Sequence, residues 1–154
     1  MKVYFSASLS RYRGLLPLTS DIASMIEELG HIVTSKHVIR DKTTEGEWQD
    51  RYDPRRLYER EMRRLATSDV LISEATTPSF GAGFLVQMAI SMGKPLLTLH
   101  FGEHEKKAPL MLRGNPSINL NLYTEDTIKH TLKSFFQEVS DSKRAAEPLE
   151  DFDQ

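Results

Sequence analysis

The sequence predicts an α/β fold: a three-layer sandwich built on a five-stranded parallel sheet. Three observations carry this. Short β-type runs alternate along the chain with stretches whose apolar residues recur at helical spacing, the pattern of strand-helix-strand units. The run "KPLLTLHF" is almost continuously apolar, as a strand covered on both faces must be. A chain of 154 residues, 39% hydrophobic and 27% charged, suits one domain with a sizeable core.

Taken in order, "KVYFSA" (2–7) is the first strand, with Tyr4 and Phe5 facing opposite sides, and "SLSRYRG" a polar loop after it. Leu18, Ile22, Met25, Ile26 and Leu29 then mark a helix that Gly30 stops. "HIVTSKHVI" is the second strand, and "RDKTTEGEWQDRYD", with the only tryptophan, Trp48, has the character of a long loop or lid. Asp53 followed by Pro54 is an N-cap with proline at the first helical position, opening a helix to about Thr67. "DVLISEA" is the third strand; "PSFGAGFLVQMA" is a loop tightening into a helix that Gly93 ends; "KPLLTLHF" is the fourth strand. "APLMLRG" is a short helix and "SINLNLY" the fifth strand. Thr124 caps a last helix striped by Ile128, Leu132, Phe135, Phe136 and Val139. Residues 1–139 form the domain, and 140–154, with little to bury, read as a disordered tail. The order of elements is flavodoxin-like or Rossmann-like, which places ligands at the carboxyl ends of the strands.

Composition narrows the partners. With 20 Lys and Arg against 22 Asp and Glu, the net charge of -2 provides no general attraction to nucleic acid or anionic membrane. Without cysteine there is no thiol nucleophile, disulfide or thiolate metal site. No stretch approaches the apolar length of a membrane span, and a soluble cytoplasmic protein acting on a small molecule, or binding another protein, is expected. His100 and His104 are four apart, but Gly102 between them opposes a helix that would align two ligands, so no metal site is expected.

Three segments meet at the expected site edge: "SASLSRYR", "SEATTPSFGAG" and "HFGEHEKKAP". Ser79, Gly81 and Gly83 stand at a helix start, where free amides and the helix dipole favour an anion; an ordinary tight turn explains the same glycines. Glu61 shares a helix face with Leu57, Tyr58, Met62 and Leu65 rather than with the arginines at 55, 56, 60, 63 and 64, so it is functional or salt-bridged at the edge of the stripe. Glu74 ends the third strand, placed either for catalysis or to hold the turn. Arg11 and Arg13 suit a phosphate clamp or a plain surface. Ser6, Ser8 and Ser10 would be nucleophiles only beside a base, which the sequence does not identify.

"VYFSASL", "YEREMRRLATSDVLISEATTPSFGAGF", "GKPLLTL" and "MLRG" together resemble the nucleoside 2-deoxyribosyltransferase-like family, most closely its 2'-deoxynucleoside 5'-phosphate N-hydrolases, over roughly residues 2–137. The resemblance implies cleavage or exchange of the N-glycosidic bond between base and deoxyribose, through a carboxylate nucleophile that forms a glycosyl-enzyme ester, with a second acid assisting. It implies that Ser79, Gly81 and Gly83, with Ser8 and Arg11 or Arg13, hold the 5'-phosphate, that Tyr4 lies near the sugar and that Glu61 is the helix acid. It implies a homodimer in which Met111 reaches the neighbouring site, and no cofactor. The family's turn runs Gly-x-Gly-Tyr-Glu, with that Glu as nucleophile. Here the register reads Gly81-Ala82-Gly83-Phe84-Leu85. The expectation is a nucleoside 5'-monophosphate-binding member impaired in glycosidic cleavage. The alternatives are hydrolysis carried by Glu61 or Glu74, and a flavodoxin-like cofactor binder using Tyr12 and Trp48.

Overall fold

The strands of this chain alternate apolar side chains between two faces, so both faces must be covered. A computed structural model describes residues 1–8, 16–36, 53–102 and 108–146. In chain order these form β1 (Lys2–Ser6), α1 (Leu16–Glu28), β2 (Ile32–Val33), α2 (Pro54–Thr67), β3 (Val70–Glu74), α3 (Phe80–Ser91), β4 (Leu96–Phe101), α4 (Leu110–Gly114), β5 (Leu120–Tyr123) and α5 (Ile128–Ala146). The five strands are all parallel, in the order β2-β1-β3-β4-β5. The predicted α/β sandwich is the observed one.

On one face Val3, Phe5, Val70, Ile72, Leu97 and Leu99 pack against Ile22 and Ile26 of α1 and the whole predicted stripe of α5, Ile128 to Val139. On the other, Tyr4 and Leu71 pack with Leu65 of α2 and with Val86 and Ala89 of α3. Tyr4 and Phe5 therefore face opposite sides, as strand periodicity requires. Asp53 accepts hydrogen bonds from the amides of Arg55 (3.1 Å) and Arg56 (3.2 Å), with Pro54 after it. Gly30 and Gly93 adopt φ of 85° and 65°, the left-handed stops that β-carbon-bearing residues resist.

Two boundaries differ from expectation. β2 pairs only at Ile32 and Val33, and residues 37–52, including Trp48, lie outside the described residues. α5 does not end at 139 but continues to Ala146. Its last turns bury nothing; backbone propagation, the Gln137 to Asp141 hydrogen bonds (3.0 and 3.1 Å) and the cations Lys143 and Arg144 at the negative end of the helix dipole hold them instead. Loss of an apolar stripe is loss of burial, not of helix. Residues 147–154 lie outside the described residues.

Candidate active site

Parallel strands end at one edge, and that edge collects residues 7–8 after β1, the 75–79 loop and the start of α3. Ser79 is the N-cap of α3: its backbone is extended (φ -145°, ψ 127°) and its Oγ accepts from the Ala82 amide at 3.3 Å. The Gly83 amide is already donated to the Ser79 carbonyl at 3.1 Å. Among the described residues, only the Phe80 and Gly81 amides of this turn are left without a hydrogen bond, and both sit at the positive end of the dipole. The glycines are required neither by positive φ nor by internal packing. A Cβ at Gly83 would meet nothing within 4 Å, and one at Gly81 only Ser79 Oγ at 3.9 Å. Two glycines in a helix without a packing reason leave its outer backbone bare.

Glu61 of α2 is 12% exposed, and its pattern-based separation from the arginines does not hold. Its Oε1 accepts from Arg60 Nε at 2.9 Å and Arg64 Nη1 at 3.1 Å, while Oε2 accepts from the Tyr4 hydroxyl. Arg60 and Arg64 reach it from one position before and three after it on the same helix. Tyr4 is 1% exposed, and burial followed by the charge of Glu61 pushes its phenol above its ordinary pKa. The site therefore begins as an ionic cluster linking β1 to α2.

Leu85 lies half-buried against the apolar cluster that contains Tyr4 and Met62. Phe84 beside it leans on Tyr58 of α2, ring centroids 6.3 Å apart. This flank of α3 thus faces the Tyr4–Glu61 pair. It presents hydrocarbon.

Glu74 lies apart from Glu61 and takes the second of its two sequence readings, holding the turn. Its Oε1 accepts from the Thr76 amide (3.2 Å), the Thr76 hydroxyl and the Tyr123 hydroxyl (3.2 Å). Tyr123 belongs to the core on the α1–α5 face, so the sheet stands between Glu74 and Glu61. Thr76 Oγ1 in turn accepts from the Phe101 amide at 2.7 Å. Burial raises the Glu74 pKa, and the Thr76 and Tyr123 hydrogen bonds oppose that rise. Glu74 ties the 75–79 loop to β4 and β5.

Ser8 is half-buried just past β1, whereas Ser10, Arg11, Tyr12, Arg13 and His104 lie outside the described residues. Met111 of α4, 87% exposed, lines a cavity of about 370 Å³ together with Ser73, Ser79, Gly83, Val86 and Leu112. Ser73 was missed by sequence reasoning, as was Thr98, its cross-strand neighbour. Both are buried, and neither hydroxyl has a hydrogen-bond partner. The available signal was a hydroxyl interrupting the apolar runs "VLISEA" and "LLTLHF".

No family model matches the chain. The chain is 30% identical over 133 residues to a protein of Thermofilum pendens named 2'-deoxynucleoside 5'-phosphate N-hydrolase 1, covering 86% of this chain and 91% of that one. It is 34% identical over 122 residues to the protein of the same name from Methanococcoides burtonii, 79% of this chain and 97% of that one. It is 27% identical over 143 residues to the 5-hydroxymethyl-dUMP N-hydrolase of Danio rerio, 91% and 99% of the two chains. Among solved structures, the Clostridium botulinum CMP N-glycosidase BcmB superposes with a TM-score of 0.54 at 17% identity, over 88% of this chain and 99% of that one, a likeness of fold. With a shared α/β fold and identity of 30% and above running through nearly all of the domain, this chain belongs to the family of 2'-deoxynucleoside 5'-phosphate N-hydrolases.

Proposed function

We propose that the chain binds a nucleoside 5'-monophosphate and does not carry out the covalent step of glycosidic cleavage. The observation that carries this reading is Leu85, a hydrocarbon packed against the cluster that includes Tyr4, where the family resemblance puts the nucleophilic glutamate. The reaction needs a carboxylate that stabilises an oxocarbenium-like centre, closes to an ester and is then released by water. Leucine does none of these. The phosphate lies at the start of α3, on the free Phe80 and Gly81 amides and the Ser79 hydroxyl, with Ser8 beside it. Gly83 serves by leaving room rather than by donating its amide, which Ser79 already holds. Tyr4 borders the sugar.

A second reading has one observation in its favour. Glu61 retains 12% exposure and touches Tyr4, so as a general base it would activate water for an inverting hydrolysis. Two arginines occupy one of its oxygens. Glu74, across the sheet, is not part of either reading.

The same face supports the homodimer implied by the family. Phe80 is 93% exposed, Leu110 76% and Met111 87%, with Tyr58 and Phe84 nearby, and a second copy would cover this apolar surface. The deciding experiment is incubation with a panel of ribo- and deoxynucleoside monophosphates, followed by chromatography for free base and by thermal shift. Stabilisation by monophosphates but not by nucleosides, without base release, is the expected result. Base release at an enzymatic rate that disappears in Glu61→Ala overturns it in favour of the second reading.

A further inference from the structure

The sheet ends at β5, and among the described residues no strand pairs with its outer side. The Gly102 amide donates to the Tyr123 carbonyl at 2.8 Å, and strand alternation then turns the main-chain groups of Tyr123 and Asn121 toward β4 and those of Leu120 and Leu122 toward the open edge. Open edges are ordinarily blunted by proline, charge or a bulge; Leu120–Tyr123 has no proline or charge and pairs with β4 in unbroken register. Along the side of β5 that faces α5 the side chains change character. Tyr123 is buried in the core, whereas Asn121 and Asn119, two and four residues earlier, are half-buried and exposed. The cause is the path of α5, which starts just after β5 and runs toward the start of β3, where Lys143 Nζ meets Asp69 at 3.3 Å. It leaves the beginnings of β4 and β5 uncovered. A groove of about 660 Å³ results, reaching Pro95 and Leu96 at the end of the sheet opposite the candidate active site. Leu97, Phe135 and Val139 make its apolar floor, the two asparagines one rim, and Ser134, Glu138 and Ser142, four apart on α5, the other. Lys143 is paired with Asp69, and Glu138, the one carboxylate of the groove, has no ion pair among the described residues.

We propose that the β5 edge and this groove together dock an extended peptide segment of a partner protein, which adds as a strand and seats an apolar side chain and, two residues on, a basic one in the groove. The outward main-chain groups of Leu120 and Leu122 hold any extended backbone, and the groove supplies the selectivity. Residues i and i+2 of an added strand point to the α5 side roughly 7 Å apart. The apolar one covers Phe135 and Val139, and the basic one meets Glu138. The asparagines serve the polar atoms between them: Asn121 Nδ2 donates to the Asn119 carbonyl at 3.1 Å, and its amide oxygen accepts from the segment. Because the groove lies at the far end of the sheet from the α3 turn, a segment can dock while a nucleotide is bound.

Amide and carboxamide NMR shifts of the full chain, titrated with the acetylated and amidated peptide Ser-Thr-Leu-Thr-Lys-Thr-Ser, test this. The expected result is saturable shifts of the Leu120 and Leu122 amides and of the Asn119 and Asn121 side chains, with the start of α3 unmoved. Glutamate in place of the peptide lysine weakens binding about two- to fivefold, the range of an exposed ion pair, and Glu138→Lys reverses that preference. Asn121→Ala weakens both peptides about fivefold, the loss of about one hydrogen bond. Absence of shifts at millimolar peptide overturns the proposal, as do shifts confined to the α3 turn. Equal binding of the lysine and glutamate peptides to wild type overturns the stated partner chemistry, whether or not the Glu138→Lys chain folds. Shifts at Leu120 and Leu122 that grow on concentrating the chain without peptide make a second copy the occupant and overturn the partner segment.

Discussion

Under the proposed function, the side chain at position 85 is what separates binding from cleavage. Leu85→Glu is expected to raise base release from monophosphates at least roughly tenfold, about 1.4 kcal/mol of barrier, measured by single-turnover chromatography. The same change lowers stability by about 1–3 kcal/mol, since a carboxylate enters the cluster of Tyr4 and Met62. Glu74 gives a prediction in pH. Burial raises its folded-state pKa above the ordinary glutamate value of 4.5, so between that value and the folded one the native chain holds a proton that the unfolded chain has lost. Stability is then present at low pH and falls as pH rises through the folded value. Urea midpoints should show wild type losing ground to Glu74→Gln from pH 4.5 upward, because the amide keeps the acceptor for Thr76 and Tyr123 and has no charge to bury. A difference between the two that is flat in pH would refute it. Glu74 illustrates a limit of reading residues from sequence: its type and place at the end of β3 were visible, but catalysis and holding the turn stayed open alternatives until its partners were seen.

The elements were legible to different depths. Asp53-Pro54, Gly30 and Gly93 were read correctly because caps and left-handed stops depend on local backbone chemistry alone. The end of α5 was misplaced because its last turns are held by backbone propagation and charge rather than by burial. α3 joins structure to function most directly. Gly81→Ala is expected to stabilise the helix by up to about 1 kcal/mol, since the added methyl meets only Ser79 Oγ at 3.9 Å. It should also weaken monophosphate binding by crowding the open amide turn. Thermal melts with and without ligand check both halves, and a Gly81→Ala protein that is more stable and binds as well as wild type would remove the turn from the site.

Among the described residues, five of the eight exposed large apolar side chains, Tyr58, Phe80, Phe84, Leu110 and Met111, belong to the elements around the candidate site. Sedimentation is expected to find a dimer that the double substitution Phe80→Glu, Met111→Glu converts to monomer, as like charges are forced together across a two-fold contact. A monomeric wild type would refute it. The architecture itself was determined by the sequence: strand-length apolar runs alternating with amphipathic helices leave a covered parallel sheet as the way to bury both faces, and the caps and glycines punctuate it locally. Leu85 in the register of the Gly-x-Gly turn is visible in the sequence, and its reading as a lost nucleophile belongs to the proposed function. Tertiary structure alone decided which polar groups meet. It joined Glu61 to Tyr4, sent Glu74 to Tyr123 on the other face of the sheet, and left Ser73 and Thr98 unpaired. Those outcomes depend on contacts between residues as many as 57 positions apart, and the side-chain periods that reveal helices and strands contain no information about them.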